Sequence, residues 1–237
     1  MAEHVIDCSE VGIQAGFHVI GDGALNEVLA GFRDAATALG AATVRAGRHR
    51  LEHVEMPTAE HLATLADLGI TVSVQPQFDA LWGGHNSLYA TRLGLDRAAP
   101  MNPFAEFLRA GIAMTFGSDT PVTEVTPWHT VASAMYHHTP SSRISARAAF
   151  NAHTRGGWRA VGVDDAGVIR TGAAAHLAVW RVDELSVQAP DERVAAWSTD
   201  PSSGTPLLPV LTEDGPFPDC LLTVAGGRTI FSDGSLM

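Results

Sequence analysis

The chain has 237 residues, of which 46% are hydrophobic and 17% are charged, so it is long enough to bury a sizeable core. Its 15 Lys and Arg residues against 26 Asp and Glu residues give a formal net charge of -11, which disfavours binding to a nucleic-acid backbone. No segment approaches the roughly 18 to 20 apolar residues of a membrane span, and the amino terminus lacks a signal-peptide pattern, so we expect a soluble cytoplasmic protein.

Four short apolar runs have the composition of strands, and each is followed by segments with helical periodicity. The predicted strands are residues 16–21, 50–55, 70–75 and 112–116. The predicted helices are residues 3–14, 22–40, 58–69, 102–111, 127–137 and 146–161, with N-cap candidates Asp22, Thr58, Asn102 and Ser145. Residues 77–99 are predicted to form a long loop. This alternation predicts an α/β protein with a parallel sheet, either an open doubly wound sheet or half of an eight-stranded barrel.

The last part of the chain has a different sequence pattern. From Gly167 it contains short apolar runs, such as residues 176–180 and 221–228, separated by Pro, Ser, Gly and Asp. This pattern predicts a small β-rich segment with a poorly structured stretch around residues 198–218. The predicted division of the chain is therefore residues 1–165 and residues 166–237.

Three residues of types that bind metals lie at the downstream ends of predicted strands: His18, His53 and Asp119. Because the carboxyl ends of parallel strands meet at one edge of a sheet, we expect these side chains to converge. Two imidazoles and a carboxylate suit Zn²⁺ and leave a position for water, whose pKa a bound ion lowers toward ~7. The pattern predicts metal-dependent hydrolysis. Each residue alone also fits a structural role, and Asp119 before Thr-Pro fits a turn.

Five other polar or aromatic residues are candidates for lesser roles. Gln75 ends the third predicted strand and could hydrogen-bond a substrate, although a polar residue is also ordinary at a strand end. Trp82 and His85 lie in the predicted loop and could shape a substrate pocket, and exposed loop polarity explains them about as well. His137 and His138 end a predicted helix, where cationic side chains suit the helix dipole.

Five segments together resemble the amidohydrolase superfamily. Residues 17–24, Phe-His-Val-Ile-Gly-Asp-Gly-Ala, are similar to the fifth-strand HxIGDxA motif of its amidohydrolase 3 branch, the YtcJ-like and N-substituted formamide deformylase-like hydrolases. Residues 50–54 resemble the sixth-strand R-x-E-H motif, and residues 72–76 resemble the seventh strand. Residues 117–121 resemble the eighth-strand GSDxP motif, and residues 167–180 resemble the segment that returns the chain to the family's β-sandwich.

The resemblance implies a partial TIM barrel, corresponding to strands 5–8 of the family fold, followed by a β-rich segment of the β-sandwich. It implies a divalent metal, with zinc as the expected ion, and hydrolysis of a non-peptide carbon–nitrogen bond in a small amide-type substrate. His18 and His53 match the fifth- and sixth-strand ligands. Asp119 matches the eighth-strand residue that binds metal and carries the proton from the attacking water to the leaving nitrogen.

The chain also departs from the family pattern. The first-strand His-x-His and the fourth-strand Lys of the family have no counterpart in this sequence, so the metal site is expected to be incomplete. Four βα units without their partners would expose a sheet edge, which predicts pairing with a separate first half or with a second copy. Two alternatives to an enzyme remain open: a catalytically inactive truncated remnant, and an α/β module that binds a small ligand.

Overall fold

The computed structural model of the chain describes residues 1–186 and 207–236. Its helices are α1 Ala2–Glu10, α2 Asp22–Leu39, α3 Ala41–Ala46, α4 Ala59–Asp67, α5 Pro76–Trp82, α6 Leu88–Leu93, α7 Leu95–Ala98, α8 Phe104–Arg109, α9 Pro127–Met135, α10 Ala146–His153 and α11 Arg155–Ala160. Its strands are β1 Gly16–Val19, β2 Arg50–His53, β3 Thr71–Val74, β4 Met114–Phe116, β5 Leu177–Arg181, β6 Leu185–Ser186, β7 Leu208–Pro209, β8 Asp219–Ala225 and β9 Arg228–Ser232.

The first four strands form one parallel sheet in the order β1-β2-β3-β4. In this sheet Val19 pairs with His53, and Val74 pairs with Phe116, so the carboxyl ends of the strands lie at one edge. The predicted parallel α/β sheet is confirmed. Its interpretation as part of a barrel stays a prediction.

Helix α2 covers this sheet with one apolar face. Its buried apolar residues recur at the three- and four-residue spacing of a single helix face: Leu25, Val28, Leu29, Phe32 and Ala35. The fully buried Phe32 ring makes an edge contact with Phe17 of β1, with 5.9 Å between the ring centroids. One part of the core therefore lies between α2 and β1.

Two of the predicted helix caps are confirmed. The Thr58 hydroxyl accepts a hydrogen bond from the His61 backbone amide at 3.3 Å, and the Thr58 amide donates to His61 Nδ1 at 3.1 Å. This reciprocal pair is a capping box in which a histidine takes the place of the usual Glu or Gln. Ser145 caps α10 in the simpler way, because its hydroxyl accepts from the Ala148 amide at 3.2 Å.

Replacing Thr58 with alanine is expected to lower the free energy of unfolding by about 1 kcal/mol, because the His61 amide loses its acceptor. Urea denaturation followed by circular dichroism measures this loss. The matched control is Thr37→Ala within α2, where the exposed hydroxyl only donates to the Arg33 carbonyl. A loss in the control as large as in the Thr58 variant would contradict the capping role.

The two other predicted caps are wrong by one position. The N-cap of α2 is Gly21, and the Asp22 carboxylate instead accepts a hydrogen bond from Arg97 at 2.9 Å. The N-cap of α8 is Pro103, and Asn102 before it adopts a positive φ of 53°. Asparagine tolerates the left-handed conformation better than most residues, so at this position it serves the turn into the helix.

The prediction of a long loop over residues 77–99 is wrong, because α5, α6 and α7 occupy most of that segment. Pro76 supplies the fixed φ of a first helical position in α5. Helix α6 begins after Ser87 and ends at Gly94, whose φ of 80° suits glycine. The predicted single helix over residues 146–161 is likewise two helices, separated at Thr154.

The carboxyl-terminal part is β-rich, as predicted. Strands β5, β8 and β9 form an antiparallel sheet, and β6 pairs with β7. The Tyr136 hydroxyl donates to the Leu211 carbonyl at 2.8 Å, and Leu211 is buried in the core, so this part packs against the end of α9. The predicted poorly structured stretch, residues 198–218, lies outside the described residues up to position 206. The division at residue 165 stays a prediction.

No helix within residues 1–186 or 207–236 is both long and apolar enough to cross a membrane. The cytoplasmic location stays a prediction.

A buried neutral histidine connects the chain before β1 to β2. His49 is 1% exposed, its Nδ1 accepts from the Ala15 amide at 3.0 Å, and its Nε2 lies 3.0 Å from the Ser9 hydroxyl. Ser9 donates its own hydrogen to the Val5 carbonyl, so the hydrogen shared with His49 belongs to Nε2. Burial lowers the pKa of His49.

The free energy of unfolding is therefore expected to fall as the pH falls below about 6.5, the ordinary pKa of histidine. Below that pH, His49 takes up a proton in the unfolded chain but not in the folded chain. The free energy of unfolding continues to fall until the pH reaches the lowered folded-state pKa of His49. Urea denaturation at several pH values measures this slope. In His49→Asn, which keeps an acceptor for the Ala15 amide but cannot titrate, the slope should be shallower, and an unchanged slope would contradict the assignment.

Candidate metal centre

Two imidazole rings meet where β1 and β2 end. His18 and His53 lie on these neighbouring parallel strands, and Nδ1 of His18 is 3.0 Å from Nε2 of His53. His53 is buried, at 5% exposure, whereas His18, on the outer strand β1, is exposed. The structure thus brings together two of the three predicted ligands, which are 35 positions apart in the sequence.

The His53 ring is held on two further sides. Its Nδ1 lies 2.9 Å from Oε1 of Gln75, and the Phe78 ring is nearly parallel to it, with 6.0 Å between centroids and 13° between planes. The backbone turns sharply here, because His53 has a φ of 73° and Val54 a φ of 49°. Positive φ is a strained conformation for a β-branched residue, and such strain concentrates at functional sites.

Asp119 stands apart from this pair. It is exposed after β4, it has a positive φ of 55°, and its carbonyl accepts a hydrogen bond from the Val122 amide at 2.8 Å. Strand β3 separates β4 from β2, which places their axes roughly 10 Å apart. In the described ranges no three His, Cys, Asp or Glu side chains gather closely enough to hold one ion. The role of Asp119 as a ligand stays a prediction.

The donor set fits part of a metal site. Two imidazole nitrogens 3.0 Å apart can occupy neighbouring positions around one ion. A catalytic zinc site takes three protein ligands and leaves one position open, so the described part of the chain supplies two of the three. In a complete site the remaining donor would come from Asp119 after movement or from another polypeptide segment.

The predicted substrate residues have different surroundings. Trp82 in α5 is half-buried and packs against Phe78 at 4.6 Å and Tyr89 at 6.1 Å between ring centroids. We call Phe78, Trp82 and Tyr89 the aromatic row, because they extend side by side from the His53 ring. His85 is exposed in the segment that follows α5. Gln75 is buried, and its amide oxygen is directed at His53.

The sequence reasoning missed a buried carboxyl group next to this row. Glu55 is 3% exposed, and the Tyr89 hydroxyl donates to its Oε2 at 2.6 Å. Burial raises the pKa of Glu55, and the hydrogen bond from Tyr89 opposes that rise. The available signal was an acidic residue only two positions after His53, between the apolar residues Val54 and Met56.

The sequence reasoning also missed Asp79, a second buried carboxylate, which lies in α5. Asp79 Oδ2 accepts hydrogen bonds from the His138 amide at 2.9 Å and lies 3.0 Å from His138 Nδ1, while Oδ1 lies 3.3 Å from His137 Nε2. Burial is the largest cause of the lowered pKa of His137. The prediction of a cation at a helix end is wrong for His137, because α9 ends at Met135 and burial lowers the pKa of His137. For His138 it stays a prediction.

Comparisons with known proteins show what the chain resembles. A model of the amidohydrolase family matches residues 1–231. Protein LONG AFTER FAR-RED 3 of Arabidopsis thaliana is 34% identical over 167 residues, which are 65% of this chain and 27% of that protein.

Solved structures share the fold. An uncharacterized metal-dependent hydrolase from Pyrococcus furiosus has a TM-score of 0.61 and 22% identity, covering 73% of this chain and 35% of that one. Atrazine chlorohydrolase TrzN from Arthrobacter aurescens TC1, complexed with zinc, has a TM-score of 0.59 and 19% identity, covering 97% of this chain and 46% of that one. The chain thus spans between about a quarter and a half of the length of these relatives.

Proposed function

Because the chain belongs to the amidohydrolase family, we propose that its four-stranded sheet is part of a TIM-type barrel that hydrolyses a non-peptide carbon–nitrogen bond in a small amide-type substrate. The observation that supports this most directly is the 3.0 Å approach of the His18 and His53 nitrogens at the carboxyl ends of adjacent parallel strands. That edge is where enzymes with parallel α/β barrels carry their active sites.

In this proposal His18 and His53 hold a divalent ion, and the zinc in TrzN supports zinc as that ion. When bound, the ion would make a water molecule acidic enough to act as a nucleophile near neutral pH. Asp119, on the same edge of the sheet, would accept a proton from the attacking water and donate it to the leaving nitrogen. Such a transfer lets the amine leave in its neutral form.

The aromatic row is the proposed surface for the rest of the substrate. Its rings continue from His53 outward to the half-buried Trp82, so an apolar or planar group attached to the scissile bond would pack there. His85, exposed just beyond α5, would contact the outer end of such a group.

We propose further that a partner completes the site, because the described residues supply only two donors and leave both edges of the parallel sheet unpaired. Within the described residues β1 and β4 each pair on one side only. A separate polypeptide with the remaining barrel strands, or a second copy of this chain, would cover both edges and bring further ligands. Molecular mass measured by light scattering, for the chain alone and in a complex, distinguishes these partners.

One observation favours a second candidate function, a metal-binding remnant without catalysis. Asp119 does not join the two imidazoles, and no other described acidic residue does so. In that case the protein would bind zinc and release no amine from any amide.

The test is elemental analysis of the purified chain, combined with an assay for amine release from N-formyl and N-acetyl amines. Zinc that co-purifies and is lost in His18→Ala, together with amine release, is the expected result. Zinc binding without amine release in every preparation, including complexes with a partner, would favour the remnant. A protein that binds no zinc would contradict both, and unchanged binding of a small ligand in His18→Ala would favour an α/β binding module.

A further inference from the structure

Gln75 has both ends of its side chain occupied inside the protein. It is 4% exposed, its Oε1 lies 2.9 Å from His53 Nδ1, and its Nε2 lies 3.3 Å from the Ser73 carbonyl oxygen. The Ser73 carbonyl can only accept a hydrogen bond, so it fixes which end of the amide is nitrogen. The amide oxygen therefore faces His53.

This orientation dictates where His53 carries its hydrogen. An amide oxygen has no hydrogen to donate, so the 2.9 Å contact requires an N–H on Nδ1 of His53. In the neutral ring the lone pair then lies on Nε2, the atom that is 3.0 Å from His18 Nδ1. A neutral imidazole that has no such partner exchanges between its two tautomers in water.

We infer that Gln75 is a positioning residue, which holds His53 as its Nδ1–H tautomer and directs the Nε2 lone pair toward Nδ1 of His18. This inference rests on the proposed function, in which that lone pair binds the metal. It is an alternative to the expectation that Gln75 contacts the substrate, because each polar end of this buried amide already has a partner inside the protein.

Two other features around His53 restrain its ring but do not fix the position of its hydrogen. The backbone at His53 is in the left-handed conformation, and the nearly parallel Phe78 ring restricts its imidazole on one face. Neither feature distinguishes Nδ1 from Nε2, since a ring contact fixes the plane and not the position of the hydrogen. Of the backbone, Phe78 and Gln75, it is Gln75 that makes that distinction, and outer partners of ligating histidines commonly have this role.

The experiment uses metal-free protein with ¹⁵N-labelled histidine, at about pH 8, in a long-range ¹H–¹⁵N correlation spectrum. The His53 signal is assigned by its loss in His53→Ala. Wild-type protein should show His53 as the Nδ1–H tautomer. Gln75→Met, which has a similar shape and no amide oxygen, should lose this preference, whereas Gln75→Glu should keep it because a carboxylate still accepts from Nδ1.

The matched control is Gln77→Met. Gln77 is as buried as Gln75, at 3% exposure, but its amide donates to Thr126 and Thr130 and not to His53. In this control the His53 tautomer should be unchanged. Zinc titration of the same proteins should show an affinity about 10- to 100-fold lower in Gln75→Met, with wild-type affinity in the control.

Three results would overturn the inference: an Nε2–H tautomer in wild-type protein, an unchanged tautomer in Gln75→Met, or the same tautomer change in the Gln77 control. A Gln75→Met protein that fails to fold leaves the wild-type spectrum and Gln75→Glu to decide. If the tautomer depends on Gln75 but zinc affinity does not, the positioning role stands and the proposed metal-binding role of His53 fails.

Discussion

Replacing His53 with alanine is expected to weaken zinc binding by more than about 100-fold, since even the loss of an outer hydrogen-bond partner of a ligand costs about 10- to 100-fold. The reason is that a single exposed imidazole, His18, would remain of the pair whose nitrogens approach to 3.0 Å. Competition with a fluorescent chelator measures the affinity. Any amine-releasing activity should disappear with the metal.

Because His53 is buried, its removal also leaves a cavity, so a second variant is needed. His18→Ala removes the exposed member of the pair and should weaken zinc binding to the same degree while the fold is unchanged. His4→Ala, which removes an exposed imidazole from α1, is the control and should leave zinc affinity unchanged. Equal affinities for the His18, His53 and His4 variants would show that zinc binds elsewhere.

The four parallel strands and the pairing of His18 with His53 could be predicted from the sequence, because each depends on a short segment of the chain. The segments around His18 and His53 are apolar and end in a ligand-type residue, and parallel pairing of adjacent strands then places the two ends together. Asp119 also follows the carboxyl end of a strand, but that strand, β4, lies at the opposite side of the sheet from β1. The order of the strands along the chain did not show that β1 and β4 would be the two outer strands, which keeps Asp119 away from the two histidines.

The helices between β3 and α8 could not be predicted by periodicity. Helix α6 has six residues and α7 has four, so neither completes the two turns that a repeating apolar face requires. Their signals are local, namely Ser87 before α6 and Gly94 between the two helices. The buried contacts of Asp79 could not be predicted either, because its partner His138 is 59 positions away in the sequence.

Replacing Asp79 with alanine is expected to lower the free energy of unfolding by about 3 to 5 kcal/mol, the range for breaking a buried ionic or hydrogen-bonded pair by removing one partner. The variant leaves the His138 amide and His138 Nδ1 without the acceptor that they share, and it removes the carboxylate oxygen that lies 3.3 Å from His137 Nε2. Urea denaturation measures the loss. Asp79→Asn keeps one acceptor oxygen and should lose less.

The control for Asp79 is Asp67→Ala, which removes an exposed carboxylate paired with Arg45 at 3.1 Å. Exposed pairs contribute little, so this variant should be close to wild type, and equal losses in the two variants would contradict the buried network. Asp79 is adjacent in α5 to Phe78, whose ring lies over His53. If α5 is held by Asp79, the alanine variant should also weaken zinc binding, although Asp79 touches neither imidazole of the pair.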